Sequence, residues 1–154
     1  MPAARGFTLV ELLVVMVIIG ITLGLVTVNA LPSQRQDLQN EAQRLALLMQ
    51  LARDEAIVRN APMAFEAEGG RYRFLVRGET RWEQVQGDDL LRERAFKHTP
   101  VALSVQPAGV AGMGNGLRIV FGREPVDKPF VLTLADGDNM VAIHADGVGH
   151  FNVE

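Results

Sequence analysis

A chain of 154 residues, 48% hydrophobic and with a formal net charge of -3, has material for one membrane segment and one small folded domain, and its apolar content excludes a disordered protein. It contains no cysteine, which excludes a disulfide framework and a thiolate metal site. Fifteen Lys and Arg stand against eighteen Asp and Glu, so there is no basic footprint of the kind a phosphate backbone requires, and nucleic-acid binding is not expected.

Residues 12–31 carry no charged side chain, and Glu11 is the one charge between residues 7 and 31. At ~1.5 Å per residue that stretch reaches ~37 Å, enough to cross a hydrocarbon core of ~30 Å with some tilt. A buried core helix rarely holds so long an uncharged run. A cleaved secretory signal is the other reading, since Arg5 precedes the run. The stretch exceeds an h-region, however, and residues 26–30, Val-Thr-Val-Asn-Ala, match a small-x-small cleavage site only in part. Arg5 ahead of the span places the N-terminus in the cytoplasm and residues beyond 31 outside it. Glu11 leaves two readings open: it snorkels to the headgroups, or it meets a partner, because an unpaired carboxylate in the span costs a few kcal/mol.

Pro32, Ser33 and Gln36 form the pattern of an N-cap and capping box. Leu38, Ala42, Leu45, Leu48 or Met49, Ala52 and Ala56 then step by three and four, with Arg35, Asp37, Glu41, Arg44, Arg53 and Asp54 mostly off that face. Asn60 and Pro62 supply the stop, so helix is expected from about residue 7 to about residue 60, on the order of 80 Å if continuous.

Beyond Pro62 the period becomes two. Met63, Phe65 and Ala67 alternate with Ala64, Glu66 and Glu68, and Tyr72, Phe74 and Val76 with the residues between them. With Gly69-Gly70 as a two-residue turn the opposed pairs are Phe65 with Phe74, Met63 with Val76 and Glu66 with Arg73, one face apolar and the other ion-paired. Residues 82–98, with Trp82 and "DDLLRERAF", fit a helical turn or a strand approach equally. Strands are expected at 101–105, 117–121, 130–135 and 140–144, around a glycine-rich surface loop at 107–116 and a turn at Asp136-Gly137-Asp138, with Leu132 and Leu134 on the face of Val141 and Ile143. "DGVG" turns into a closing strand at His150-Phe151-Asn152-Val153.

Little here promises chemistry. His98, His144 and His150 are the histidines, and none stands at metal-ligand spacing with another. Asp136, Asp138 and Asn139 resemble the start of a calcium loop but lack its later glutamate, so a hairpin turn is expected. Gly112, Gly114 and Gly116 lack a Gly-Lys-Ser/Thr ending and lead into a strand, not a helix. No serine has a nucleophile-elbow setting. No catalysis, metal or cofactor is expected.

"GFTLVELLVVMVIIGI", from Gly6 to Ile21, resembles the class III signal of type IV pilins and type II secretion pseudopilins: a short basic leader, Gly, Phe, then Glu five residues into the mature chain. The resemblance implies cleavage by prepilin peptidase between Gly6 and Phe7, N-methylation of Phe7, anchoring in the inner membrane and later packing in a helical filament. It also implies that Glu11 pairs with the Phe7 amine of a neighbouring subunit. At ~4 Å and an effective dielectric of about 20 such charges attract by ~4 kcal/mol, comparable with the cost of burial.

"LALLMQLARDEAIVRNAPMAFEAEGGRYRFLV", residues 45–76, is similar to the H-type minor pseudopilins, general secretion pathway protein H, through Ala52-Arg53-Asp54-Glu55-Ala56-Ile57-Val58-Arg59 and Pro62, with one added residue before Glu55. "DGVGHFNV" resembles that family's closing strand. The same domain family includes FimT-like minor pilins, some of which bind DNA through a basic C-terminal region. Residues 99–154 here hold Arg118, Arg123 and Lys128 against Glu124, Asp127, Asp136, Asp138, Asp146 and Glu154, the wrong sign for that role.

The expected fold is α+β and type IV pilin-like: a long N-terminal α-helix, half transmembrane and half amphipathic, packed on a small antiparallel β domain. The expected divisions are a leader at 1–6, a transmembrane helix at 7–31, an amphipathic periplasmic helix at 32–61 and a periplasmic β domain at 62–154. The function expected is that of a structural, non-enzymatic minor pseudopilin assisting export of folded proteins. Its expected partners are prepilin peptidase, other major and minor pseudopilins and inner-membrane lipid. A FimT-like minor pilin of a type IV pilus is the alternative, and a membrane-anchored binding module using residues 107–116 is a rival of another class.

Overall fold

The computed structural model describes residues 8–29, 34–97, 100–112 and 116–154. The chain divides into two compact units, Met1–Ser33 and Gln34–Glu154.

In the first unit, helix α1 runs from Leu9 to Asn29. Its side chains are described through Thr22, and the large apolar ones from Leu9 (83% exposed) to Ile21 (59%) all lie open. A helix apolar on every side has no polar face to give to water. Thr22 avoids an unsatisfied hydroxyl by donating to the carbonyls of Ile18 at 2.8 Å and Ile19 at 3.0 Å. Among the described residues no helix is long and apolar enough to cross a membrane. The outer parts of the expected span, Phe7 and residues 30 and 31, lie outside them, as does the Ser33 of the expected capping box.

In the second unit, helix α2 runs from Gln34 to Val58. The stripe from Leu38 through Ala42, Leu45, Met49, Ala52 and Ala56 is buried, as its spacing requires. Asn60, at φ 50°, ends the helix: its N–H reaches the Ile57 carbonyl at 3.1 Å and the Ala61 N–H reaches that of Ala56 at 3.1 Å. These are the paired bonds of a Schellman stop, which satisfy carbonyls the helix itself leaves free.

Among the described residues ten strands follow: β1 (Met63–Glu68), β2 (Arg71–Arg77), β3 (Trp82–Gln84), β4 (Arg94–Ala95), β5 (Ala102–Gln106), β6 (Ala111–Gly112), β7 (Leu117–Phe121), β8 (Phe130–Asp136), β9 (Asn139–Ala145) and β10 (Phe151–Val153). Every pairing is antiparallel. They form two sheets. The first has the order β3-β2-β1-β7-β6 with β4 also paired to β2, and the second the order β10-β9-β8-β5. Helix α2 packs against β1 and β7 of the first and against β8, β9 and β10 of the second, so one apolar stripe serves both inner faces.

The β1–β2 hairpin has the expected register, with Met63 opposite Val76, Phe65 opposite Phe74 and Glu66 opposite Arg73. Gly69 and Gly70 take φ values of 59° and 78°, the left-handed geometry a two-residue hairpin turn needs and a side chain resists. In the second sheet Leu132 faces Ile143 and Leu134 faces Val141, all four buried.

One segment the sequence leaves open takes a definite form, and two expectations change. Residues 82–97 form the short strands β3 and β4, held by the buried side chains of Val85, Leu91 and Phe96, while Asp88 Oδ1 accepts the Leu90 N–H at 2.8 Å. Residues 107–112 are not all loop: a 3-10 turn at Ala108–Val110 leads into β6, which extends the first sheet by pairing with β7. Charged side chains on α2 also enter the buried face, namely Asp37, Glu41 and Arg53.

Candidate assembly surfaces

The cleavage and methylation positions expected from the sequence, Gly6 and Phe7, lie outside the described residues. Their neighbour Thr8 caps α1. Its Oγ1 accepts the Glu11 N–H at 3.3 Å, and its carbonyl accepts the N–H groups of Glu11 at 3.1 Å and Leu12 at 3.3 Å. Thr8 and Glu11 thus stand as N-cap and third helical residue, the threonine-x-x-glutamate spacing of a capping box, a signal the sequence reading overlooked. Glu11 is exposed among exposed Leu9, Val10, Leu12 and Leu13, and its place in the first turn puts its carboxylate at the positive end of the helix dipole.

The motif at residues 52–59 is a structural clamp. Ala52 and Ala56 lie fully buried against the sheets, where anything larger would force them apart. Arg53, 8% exposed, donates to the Pro125 carbonyl and pairs through Nη1 with Asp54 Oδ1 at 3.2 Å. Its guanidinium fills the space over Gly149 so closely that a Cβ there would lie 2.6 Å from Nη1. The loop that Arg53 grips is tied to the final turn: Asp127 donates its N–H to the Gly147 carbonyl at 2.7 Å, and its Oδ2 accepts the Gly122 N–H at 3.0 Å. Glu55 and Arg59 add an ion pair one turn apart on the outer side of the helix.

Toward the start of α2, Lys97 Nζ donates to Asp37 Oδ1 at 2.7 Å, and Arg44 Nη2 bridges Glu41 at 2.5 Å and the Tyr72 hydroxyl at 3.0 Å. Burial pushes the Tyr72 hydroxyl above its usual range. These bonds explain how carboxylates sit on a buried face: each has a cation, Lys97 from the segment after β4 or Arg44 from the next turn.

On the outer face of the first sheet, Glu66 is 4% exposed and joins three strands. Arg73 Nε donates to its Oε1 at 2.8 Å and Arg118 Nε to its Oε2 at 2.8 Å. Burial alone raises the carboxyl's pKa, but the bonds from Arg118 and Arg73 outweigh it and hold Glu66 below its ordinary value. Trp82 lies 5.6 Å from the Arg77 guanidinium and 5.8 Å from that of Arg118, roofing the pair with a cation–π stack. The Glu66–Arg73 contact follows from strand parity. The Arg118 contact joins residues distant in sequence and leaves no local signal.

The histidines meet carboxylates singly. His150 Nδ1 lies 2.6 Å from Asp146 Oδ2, and His144 Nε2 lies 3.6 Å from Glu154, while His98 is outside the described residues. Asp146 also accepts the N–H groups of Val148 at 2.8 Å, Gly149 at 3.0 Å and His150 at 3.1 Å, and the bond from the His150 ring, followed by the Val148 and His150 amides, depresses its carboxyl well below the usual range. Among the described residues no group of three His, Asp or Glu side chains gathers as a metal site. Asp136 and Asn139 are opposed residues closing the β8–β9 turn. Gly112 pairs with Arg118, Gly116 passes so near the Ala67 carbonyl that a Cβ would lie 2.3 Å away, and Gly114 is outside the described residues.

The family described as type II transport protein GspH matches residues 41–149, and the prokaryotic N-terminal methylation motif matches residues 1–27. Type II secretion system protein H of Pseudomonas aeruginosa is 34% identical over 141 residues, covering 90% of this chain and 80% of that protein. The minor pseudopilin EpsH from the type 2 secretion system of Vibrio cholerae superposes with a TM-score of 0.59 at 17% identity, over 77% of this chain and 96% of that one. The solution structure of Escherichia coli GspH gives 0.57 at 19%, over 80% and 95%. The type IV minor pilin FimU of Pseudomonas aeruginosa gives 0.55 at 15%, over 79% and 90%. At these identities the solved structures share the fold, which pseudopilin and minor pilin have in common.

Proposed function

The chain belongs to the GspH family of type II transport proteins, and from that membership we infer a minor pseudopilin, a structural subunit of the type II secretion pseudopilus that assists export of folded proteins across the outer membrane. The observation that carries this reading is the 34% identity to a type II secretion protein H along 90% of the chain. The FimU likeness favours a second reading, a FimT-like minor pilin of a type IV pilus, on fold alone. The acidic balance of residues 99–154 speaks against nucleic acid as a partner in either case.

The family is anchored in the inner membrane through its N-terminal helix. In this chain residues 1–6 act as the leader, removed by prepilin peptidase between Gly6 and Phe7 on the cytoplasmic side, and the new Phe7 amine is N-methylated; the methylation-motif match over residues 1–27 supports this. The apolar stretch at 7–31 spans the bilayer with the N-terminus cytoplasmic, and residues 32–61 and 62–154 are the periplasmic helix and β domain. Support comes from the exposed apolar surface of α1 and from Arg5 before it. Glu11 pairs with the Phe7 amine of another major or minor pseudopilin, which supplies the charge its apolar surroundings lack.

Mass spectrometry of the N-terminus tests the reading. A chain beginning at methylated Phe7 is the expected result, and an intact Met1 start in secreting cells removes the assignment. Co-purified filament subunits then separate the two systems.

A further inference from the structure

The chain as a whole is acidic, with a formal net charge of -3, yet the outer face of its first sheet has the opposite sign. The register of β1, β2, β3 and β7 puts Arg71, Arg73, Arg77 and Arg118 on that face against Glu66 and Glu68. Glu93, just before β4, pairs with Arg71 at 3.1 Å, and Glu66 takes Arg73 and Arg118 together. Beside them Arg81 pairs with Glu83 at 3.3 Å. Arg77 is different. It is exposed, and among the described residues it meets no carboxylate within ion-pair distance, the exposed Glu79 two residues on included; its contact is the Trp82 ring, 5.6 Å away.

The same place has an apolar component. Ala64 and Leu75 share the outward parity of the arginines yet are buried, as an indole lying between Arg77 on β2 and Arg118 on β7 would cover them. Trp82 itself is half-buried, and Val120 on the same face is 38% exposed. Tryptophan and arginine are the side chains that carry most of the energy at protein interfaces, and a guanidinium stacked on an indole keeps its fork of donors free for a carboxylate.

We propose that this part of the first sheet is a docking surface for an acidic segment of another pilin-like subunit, one carboxylate of which pairs with Arg77 while an apolar neighbour lies on Trp82 and Val120. Charge selects the occupant: the unmatched group is a cation, so a basic or neutral segment leaves it unpaired when water is displaced. A phosphate backbone fits less well, because it needs a run of free cations and the other arginines of this face are already engaged by carboxylates. This proposal rests on the filament-subunit reading above.

The test puts an amine where the guanidinium stands. Arg77→Lys in the full-length chain keeps the charge, and a zero-length carbodiimide applied to membranes of secreting cells then joins the new amine to a carboxylate in contact with it. The expected product links position 77 to an Asp or Glu of a different pilin-like subunit, read by mass spectrometry of the joined peptides, and adding Trp82→Ala should lower its yield about tenfold. A second measurement does not depend on the indole: Arg77→Glu, a change at an exposed side chain, should co-purify about tenfold less of that subunit than Arg77→Lys does. The proposal is overturned by no link from position 77, by links confined to Glu79 or Glu83 of the same chain or to a second copy of it, by bound nucleic acid in place of a linked subunit, or by equal recovery with Arg77→Glu and Arg77→Lys. The N-terminal mass in the same samples separates the two ideas. Methylated Phe7 without the link rejects the docking surface alone, and an unprocessed N-terminus rejects the subunit reading.

Discussion

Glu66 and Arg118 stand opposite each other on neighbouring strands, and the arginine gives its Nε to the carboxylate at 2.8 Å while its guanidinium lies 5.8 Å from the Trp82 ring. One carboxylate therefore holds cations from two flanking strands, and the tryptophan covers that of Arg118. Glu66→Gln retains the shape but strands two guanidinium groups, and should lower unfolding stability at neutral pH by ~1–3 kcal/mol, read from denaturant titration of the solubilised chain.

Acid should erase that difference. The folded value for Glu66 lies below the ordinary 4.5, so its contribution is complete above the ordinary carboxylate range and is lost as pH falls through the lowered folded value. The gap between the parent and Glu66→Gln should narrow below about pH 4 and stay constant from about pH 6 to 8. A gap that widened in acid would show that Glu66 does not titrate as an ion-paired carboxylate.

Gly149 and Arg53 form a second testable pair. Gly149 has φ 117°, and its missing Cβ leaves room for the Arg53 guanidinium. Gly149→Ala should cost ~1–3 kcal/mol through backbone strain, plus the displacement of Arg53. Combined with Arg53→Ala, the second component vanishes, so the two changes together should cost less than their sum. Strict additivity in a double-mutant cycle would mean that the contact carries no energy.

At the N-terminus, Gly6→Ala should leave a precursor heavier by the leader in the inner membrane. Glu11→Ala should insert normally yet co-purify with fewer pseudopilins, as the loss of one countercharge predicts. Equal recovery of partners from parent and Glu11→Ala chains in pull-downs would sink the pairing account.

Asp146 gives a local pH readout. Its bond from the His150 ring and the backbone amides of Val148 and His150 keep it ionised well below the usual carboxylate range. An NMR titration should find it still charged below the ordinary carboxylate range, and Asp146→Ala should speed hydrogen exchange at Val148 and Gly149.

The parts of this fold that rest on neighbouring residues were legible before any coordinates. The Leu38 to Ala56 stripe, the Gly69-Gly70 turn and the register of Glu66 with Arg73 all follow from short-range periodicity and parity. What escaped depends on distance along the chain. Arg53 reads as a solvated helix charge because its partner, the Pro125 carbonyl, is 72 residues away. Strands β3 and β4 are too short for a period to declare itself, and their positions are set by where Val85, Leu91 and Phe96 find the core. The N-terminal signal lies at the opposite limit: a contiguous motif carries it, while the partner it addresses belongs to another chain. Thr8 and Glu11 are a local signal as well, since their three-residue spacing is that of a capping box.

The stop at the end of α2 has a mechanical consequence. Asn60 and Ala61 are bonded back into the helix, and the Arg77 N–H donates to the Pro62 carbonyl at 2.8 Å, so the link from helix to hairpin contains no slack. A tug or twist applied along α2 reaches β1 and β2 through this link as well as through the buried stripe, so helix and sheets move as one body. Glycines inserted between Arg59 and Pro62 would loosen that link, and the buried stripe of α2 would then carry the coupling alone.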